Sequence, residues 1–308
     1  MGRNETIFLF LMTMISTVLP NINDHGKSQP KLDRNVVVFA ETGGQYFYPE
    51  HKTPYLLVSN FVNKGKYAIN KKQIEVSDKH FYLLNADDDL EIRFLKAVPL
   101  KTLLILFEDE FIKGCFSYAA SSTEQLLEQP SKVLNAGPEL PNVPFAFNKN
   151  IQKITSQVVQ SARSQAAVDE LLFELMMNFV VLNKETSKQI KRVDAVKKST
   201  REELYRRLFL AKEFMHDNAF ENLTVSQVAG EVCLDKFHFL RNFKNVFHTT
   251  PHQYLTEIKL QQAHQLLKSQ GVSVTDACYI IGFDSVGSFS NLFKKRFGMS
   301  PSTIAREE

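Results

Sequence analysis

Residues 280–301 read IIGFDSVGSFSNLFKKRFGMSP, and they are the second copy of a pattern already present upstream. Phe239, Phe243, Lys244, Phe247, Thr250 and Pro251 recur as Phe289, Phe293, Lys294, Phe297, Ser300 and Pro301, each displaced by 50 positions. Earlier in the pattern the displacement is 49. Thr224-Val225-Ser226-Gln227 matches Ser273-Val274-Thr275-Asp276, Ala229 matches Cys278, and Asp235 matches Asp284. One extra residue in the second copy, expected near Val286-Gly287, accounts for the step. Repetition at a fixed period signals a duplicated structural unit.

Each copy has the grammar of helix, short turn, helix. Thr224 with Gln227 is a capping-box pattern, in which hydroxyl and amide satisfy each other's free backbone N–H groups, and Ser273 with Asp276 is a weaker form of it. The first helix ends near Cys233-Leu234 in one copy and at Gly282-Phe283 in the other, where glycine can take a left-handed turn. The second helix sets Phe239, Phe243 and Phe247 at i, i+4 and i+8, a stripe that must face a core. Phe289, Phe293 and Phe297 repeat it. The opposite face then offers Lys236, Phe237, Leu240, Arg241 and Lys244 in copy one. In copy two it offers Val286, Gly287, Ser290, Asn291, Lys294 and Lys295. Thr250-Pro251 and Ser300-Pro301 read as a cap followed by proline at the first helical position. Between the copies, Gln253 to Lys268 predicts a connecting helix on the order of 24 Å long.

These residues resemble the AraC-type family of bacterial transcription regulators, whose DNA-binding domain is two helix-turn-helix units joined by a linker helix. The resemblance covers roughly residues 205–304 and is closest over 280–301, which follow the family pattern G-F-x-x-x-x-x-F-x-x-x-F-K-x-x-x-G-x-(S/T)-P. It implies double-stranded DNA as the partner. It also implies that Lys236, Phe237, Leu240 and Arg241 reach base edges or backbone, with Lys244 on the same face. Val286, Gly287, Ser290 and Asn291 are placed similarly, with Lys294 nearer phosphate. Several positions depart from the family. Asn291 stands where arginine is frequent, Lys259 replaces the usual linker-helix arginine, His248-Thr249 replaces a closing glycine, and Ile304-Ala305 replaces tyrosine-arginine. Asparagine can pair with adenine, whereas Val286 and Gly287 offer no polar group to a base. Copy one is therefore expected to carry more sequence information.

Upstream of the repeat the pattern changes. Short apolar or alternating runs at 36–40, 55–61, 66–70, 73–77, 80–85, 90–94 and 100–107 are separated by Gly43-Gly44, Lys64-Gly65 and Asp87-Asp88-Asp89. Such spacing predicts an antiparallel sandwich or small barrel. It resembles, more weakly, the cupin-like effector-binding domain common in the same family. Residues 111–148 read as loops around short helices. Residues 150–183 read as two helices, the second (Val168 to Leu182) apolar nearly all round and so in need of cover on several sides. The expected fold class is α+β: a cupin-like antiparallel barrel with helices over 1–183, a solvated basic connector over 184–200, and an all-α DNA-binding domain over 201–308. The apolar run Ile7 to Pro20 is expected to be a buried or dimer-facing helix rather than a targeting segment; it is too short to span a bilayer.

Composition bounds the rest. The formal net charge is +3, and residues 201–308 hold 13 Lys/Arg against 12 Asp/Glu, so the basic footprint of many nucleic-acid binders is missing. Cys115, Cys233 and Cys278 lack metal-ligand spacing; the last two lie in apolar helical stretches and read as buried small hydrophobes. A reducing, cytoplasmic setting fits. His51 and His80 could be metal ligands, but the paired His-x-His followed by Glu is absent, and Glu50-His51 beside Pro49 and Pro54 reads as a loop or pocket edge. Asp87-Asp88-Asp89 reads as a turn, since the twelve-residue calcium-loop spacing is missing. No P-loop, nucleophile elbow or dinucleotide fingerprint occurs. The reading is a non-enzymatic, effector-responsive regulator, with a small-molecule effector, a homodimeric state, RNA polymerase contact if it activates, and no cofactor, metal or membrane. Two rivals stand beside it: a cupin-type metal-dependent enzyme with a helical appendage, and a protein-interaction module using a degenerate helix-turn-helix fold.

Overall fold

The computed structural model describes residues 13–19, 32–94, 99–120, 137–161, 165–221, 223–268 and 272–306. It divides into two compact units, Met1–Ser187 and Lys188–Glu308. The chain is α+β, with every strand in the first unit.

Among the described residues ten strands lie in that unit: β1 (Met14–Ser16), β2 (Val36–Thr42), β3 (Tyr46–Lys52), β4 (Tyr55–Val62), β5 (Gly65–Ile69), β6 (Lys72–Val76), β7 (His80–Leu84), β8 (Asp89–Phe94), β9 (Leu100–Phe107) and β10 (Phe145–Ala146). They form a six-stranded sheet in the order β1-β2-β9-β4-β7-β10 and a four-stranded sheet in the order β3-β8-β5-β6. Every pairing is antiparallel except β1 with β2. The sheets face each other across one core, with Val38, Leu56, Val58, Leu84 and Leu104 from the larger and Tyr67, Ile69, Val76, Leu90 and Ile92 from the smaller. This is the cupin-like arrangement expected. Asn60, fully buried in β4, ties it together: its Nδ2 donates to Val76 O at 2.8 Å, and its Oδ1 accepts from Tyr67 at 3.0 Å and Thr102 at 2.8 Å.

The larger sheet is buried on its outer face as well, which is why β4 and β9 read as continuous apolar runs. Among the described residues, helix α1 (Asp109–Ala120) follows β9, and α2 (Lys149–Gln160) and α3 (Gln165–Lys191) follow β10. Phe179 of α3 lies 6.3 Å from the Phe81 ring and 5.0 Å from that of Phe145, seating α3 against the β7–β10 end of the sheet.

Several sequence expectations change here. The run Ile7 to Pro20 is not a helix where it is described: Met14–Ser16 is a strand alongside Val36–Val38, because the free edge of β2 offers unpaired backbone groups that this segment satisfies. Residues 7–12 and Pro20 lie outside the described residues. The segment around His51 is an added strand, β3, rather than a loop. Pro49 is tolerated because β3 is an edge strand with an irregularity between Tyr48 and His51. His51 Nδ1 lies 2.9 Å from Pro49 O, and His80 is buried between Ser77 Oγ and Glu75 O. The stretch 184–200 begins as helix rather than as irregular chain. Helix α3 runs on to Lys191, since no Gly or Pro stops it and Thr186 and Ile190, one turn apart, are both buried. Among the described residues no helix is long and apolar enough to cross a membrane, and no three His, Cys, Asp or Glu side chains cluster as a metal site.

The second unit is helical: α4 (Lys198–Asp217), α5 (Val225–Glu231), α6 (Lys236–Phe247), α7 (Pro251–Lys268), α8 (Val274–Ile280), α9 (Val286–Phe297) and α10 (Pro301–Ile304). Helix α4 buries Tyr205, Leu208, Phe209, Ala211 and Met215 against the first copy of the repeat.

Candidate nucleic-acid interface

The two copies fold alike down to single hydrogen bonds. Helix α5 begins with the expected capping box: Thr224 Oγ1 accepts from Gln227 N at 3.2 Å, and Gln227 Oε1 accepts from Thr224 N at 2.8 Å. It ends in a turn where Cys233 N donates to Gly230 O and Leu234 N to Ala229 O. In copy two Gly282 N donates to Tyr279 O and Phe283 N to Cys278 O, the same bonds 49 residues on. Both pivots are left-handed, Gly282 at φ 72° and Cys233 at φ 53°. Cys233 is therefore an exposed turn residue, not the buried helical one expected, whereas Cys278 is buried.

Past the turn the displacement is 50. Asp235 caps α6 by accepting from Phe237 N and His238 N, and Ser285 caps α9 by accepting from Ser288 N. The additional residue of copy two is thus Asp284, ahead of the cap, rather than a residue near Val286-Gly287. From there the helices run in register. The rings of Phe239, Phe243 and Phe247 are spaced 5.4 and 4.8 Å, and those of Phe289, Phe293 and Phe297 are spaced 5.5 and 4.6 Å. The first two of each set are wholly buried. Left-handed caps close both helices, His248 donating to Lys244 O and Gly298 to Lys294 O.

With the ribs locked inward, the opposite face is set. On α6, Lys236, Phe237, Arg241 and Lys244 are exposed and Leu240 is half-buried. Phe237 is 77% exposed, which leaves a large apolar ring uncovered among the described residues. On α9, Gly287, Asn291 and Lys294 are exposed and Ser290 is half-buried. Val286 differs from expectation: it is half-buried and packs on the copy-two core, because position one of the helix lies over the Phe289 rib. No Cβ contact would arise at Gly287 closer than 3.9 Å, so its surroundings are open.

Helix α7 joins the copies, its 18 residues spanning about 27 Å. It grips copy two at three points that sequence reasoning did not single out as contacts. Arg296 Nε donates to the Glu257 carboxylate at 2.6 and 2.7 Å. Lys259 Nζ, on a nearly buried side chain, donates to Gly282 O at 3.2 Å; burial pulls its pKa down against the opposing pull of Asp284. The His264 ring lies 4.7 Å from that of Phe297. On copy one, Lys212 of α4 sits 4.5 Å over Phe247 and 5.0 Å from the Tyr254 ring, with burial lowering its pKa. Partners 39 residues apart, like Glu257 and Arg296, leave no local signal in a sequence.

Residues 228–307 match the family model described as a helix-turn-helix domain. The C-terminal third therefore carries a helix-turn-helix domain. Among curated relatives, the MmsAB operon regulatory protein of Pseudomonas aeruginosa is 35% identical over 89 residues, 29% of this chain and 29% of its own. The HTH-type transcriptional activator RhaS of Yersinia pestis is 38% identical over 99 residues, 32% of this chain and 36% of its own. The chain thus spans about a third of the length of the curated relatives it matches. A solved structure of a Chromobacterium violaceum transcriptional regulator, described as an AraC-type DNA-binding domain-containing protein, is 28% identical with a TM-score of 0.31. It covers 32% of this chain and 88% of that one. ToxT from Vibrio cholerae is 15% identical with a TM-score of 0.35, over 89% of this chain and 99% of that one.

Proposed function

We propose that this chain is a sequence-specific DNA-binding transcription regulator whose AraC-type domain docks α6 and α9 in successive major-groove segments of one duplex. The observation that carries the reading is the duplicated turn. Matching hydrogen bonds at 49-residue displacement, followed by equivalent caps and aromatic ribs at 50, support two helices aimed outward by the same construction. A helix presented this way fits the major groove, with its N-terminal residues at base edges. Lys236, Phe237, Leu240, Arg241 and Lys244 are assigned to the first contact, and Val286, Gly287, Ser290, Asn291 and Lys294 to the second. Arg241 is the principal base reader, able to pair with guanine, and Lys244 and Lys294 face phosphate. The first unit is assigned to sensing a small molecule and to dimerisation, in the cytoplasm where its DNA lies, with RNA polymerase as a further partner if the output is activation.

The test is binding of the full chain to duplexes enriched from a randomised pool. Arg241→Ala is expected to weaken binding about 5- to 150-fold and to relax selectivity at one base position, since a good base contact contributes about 1–3 kcal/mol. Lys244→Ala is expected to weaken all sequences alike and lower the salt slope by about one. With so little net positive charge, the slope itself is expected to be shallow. Failure to enrich any duplex at low salt refutes the reading. Stoichiometric metal in the purified protein favours the enzyme alternative instead.

A further inference from the structure

The recognition face of α6 is not bare in the free protein. Arg241 Nη2 lies 3.0 Å from Asp194 Oδ2, in the short turn between α3 and α4. Both side chains of that pair are more than half exposed, yet the turn beneath them is fixed. Asp194 N donates to Asn242 Oδ1 at 2.9 Å, and Asn242 is buried with its own Nδ2 donating to His238 O at 3.0 Å. Val193 is buried beside it, and Arg201 Nη1 holds the carbonyls of Ala195 and Val196 at 3.2 and 2.8 Å. A carboxylate on a packed turn is thus presented to the one guanidinium of α6. A carboxylate and the acceptor edge of guanine make a similar demand on arginine: two planar N–H donors aimed at paired acceptor atoms.

We propose that Asp194 is an internal competitor for DNA at Arg241, which must release the guanidinium before α6 can engage a duplex. The proposal rests on the reading of Arg241 as a DNA contact. Bound in place, Asp194 would also set a negative charge beside the phosphate backbone, so both effects oppose docking. Because the pair is solvent-exposed, the penalty is modest and screened by salt.

The experiment compares four full-length proteins: unmodified, Asp194→Asn, Arg241→Ala and the double variant. The probe is a fluorescent 30-base-pair duplex enriched from a randomised pool with the unmodified protein, titrated by anisotropy at low salt and again near 300 mM. Asparagine keeps the backbone bond to Asn242, so the fold is retained, and matching far-UV melts check this. Asp194→Asn is expected to tighten binding about two- to five-fold at low salt, with the gain shrinking at high salt and vanishing in the Arg241→Ala background. Equal or weaker binding by Asp194→Asn overturns the proposal, and weaker binding makes Asp194 a residue that positions Arg241. An equal gain in both backgrounds also overturns it, reducing the effect to long-range charge. If Arg241→Ala alone leaves affinity unchanged, the functional assignment of Arg241 falls and takes this proposal with it. Loss of affinity in Arg241→Ala without a gain in Asp194→Asn sinks the competitor alone.

Discussion

The caps that close α6 and α9 give a paired test in which opposite substitutions have opposite signs. His248 and Gly298 occupy equivalent positions at φ 57° and 77°, each donating its N–H to a carbonyl four residues back. A left-handed backbone costs a residue with a Cβ about 1–2 kcal/mol. Glycine avoids that cost but loosens the unfolded chain, which costs about 0.4–1 kcal/mol. The difference favours glycine by about 0.5–1 kcal/mol. At Gly298 a Cβ would meet nothing within 4 Å, so no clash adds to the conformational cost of Gly298→Ala. His248→Gly is thus expected to stabilise the second unit by about 0.5–1 kcal/mol, and Gly298→Ala to destabilise it by a similar amount. The double variant should return close to the starting midpoint, since distant sites add. The chain has no tryptophan, so urea unfolding is best followed by far-UV circular dichroism, reading midpoint shifts at unchanged slope. If His248→Gly lowers the midpoint, or both substitutions move it the same way, the conformational account is wrong and the imidazole makes a stabilising contact.

Other outcomes follow from the same packing. Phe289→Ala removes a wholly buried ring lying 5.5 Å from both Phe283 and Phe293, and should cost about 3–5 kcal/mol, detectable as early unfolding of the second unit. Gly65→Ala would set a Cβ 2.7 Å from Asn60 Nδ2, 2.8 Å from Tyr67 Cε2 and 2.9 Å from Phe94 Cε1. An overpacking loss of about 1–3 kcal/mol is expected, confined to the strand-rich unit in hydrogen exchange. Burial holds the His264 imidazole below its ordinary value of 6.5, with repulsion from Lys268 adding to it. The folded form therefore resists the proton, so His264's contribution is intact above about pH 6.5 and is lost as pH falls through that value. Melts of His264→Gln should decline less between pH 7.5 and 5 than those of the unmodified protein.

Much of the second unit was legible because its determinants are local. A helical stripe of phenylalanines, a hydroxyl three residues before a glutamine, and proline after threonine or serine each act within one or two turns. The exact step between the copies was misplaced by a letter match. Asp235 resembles Asp284, but an N-cap accepts Asp or Ser equally, and the structural equivalent is Ser285. Cys233 was misread for a related reason: the repeat puts it opposite Gly282, and that correspondence outweighs its apolar character. In the first unit the core strands announced themselves, while β3 was hidden by Pro49 and β1 by its dependence on a distant partner in β2. Contacts such as Arg296 with Glu257 and Arg241 with Asp194 join segments far apart in the chain, and no spacing rule anticipates them.

The margins of the two sheets carry a consequence for handling the protein. The larger sheet ends in strands of only three and two residues, β1 and β10. The smaller ends in β3, interrupted at Pro49, and in β6, which begins with the exposed Lys72. Little uninterrupted ladder is left on any border for a foreign strand to extend. Concentrated stocks should therefore resist fibril-like association so long as Met14–Ser16 stays in place. Proteolytic trimming of that short strand would uncover the seven-residue flank of β2 and make clumping the first sign of damage.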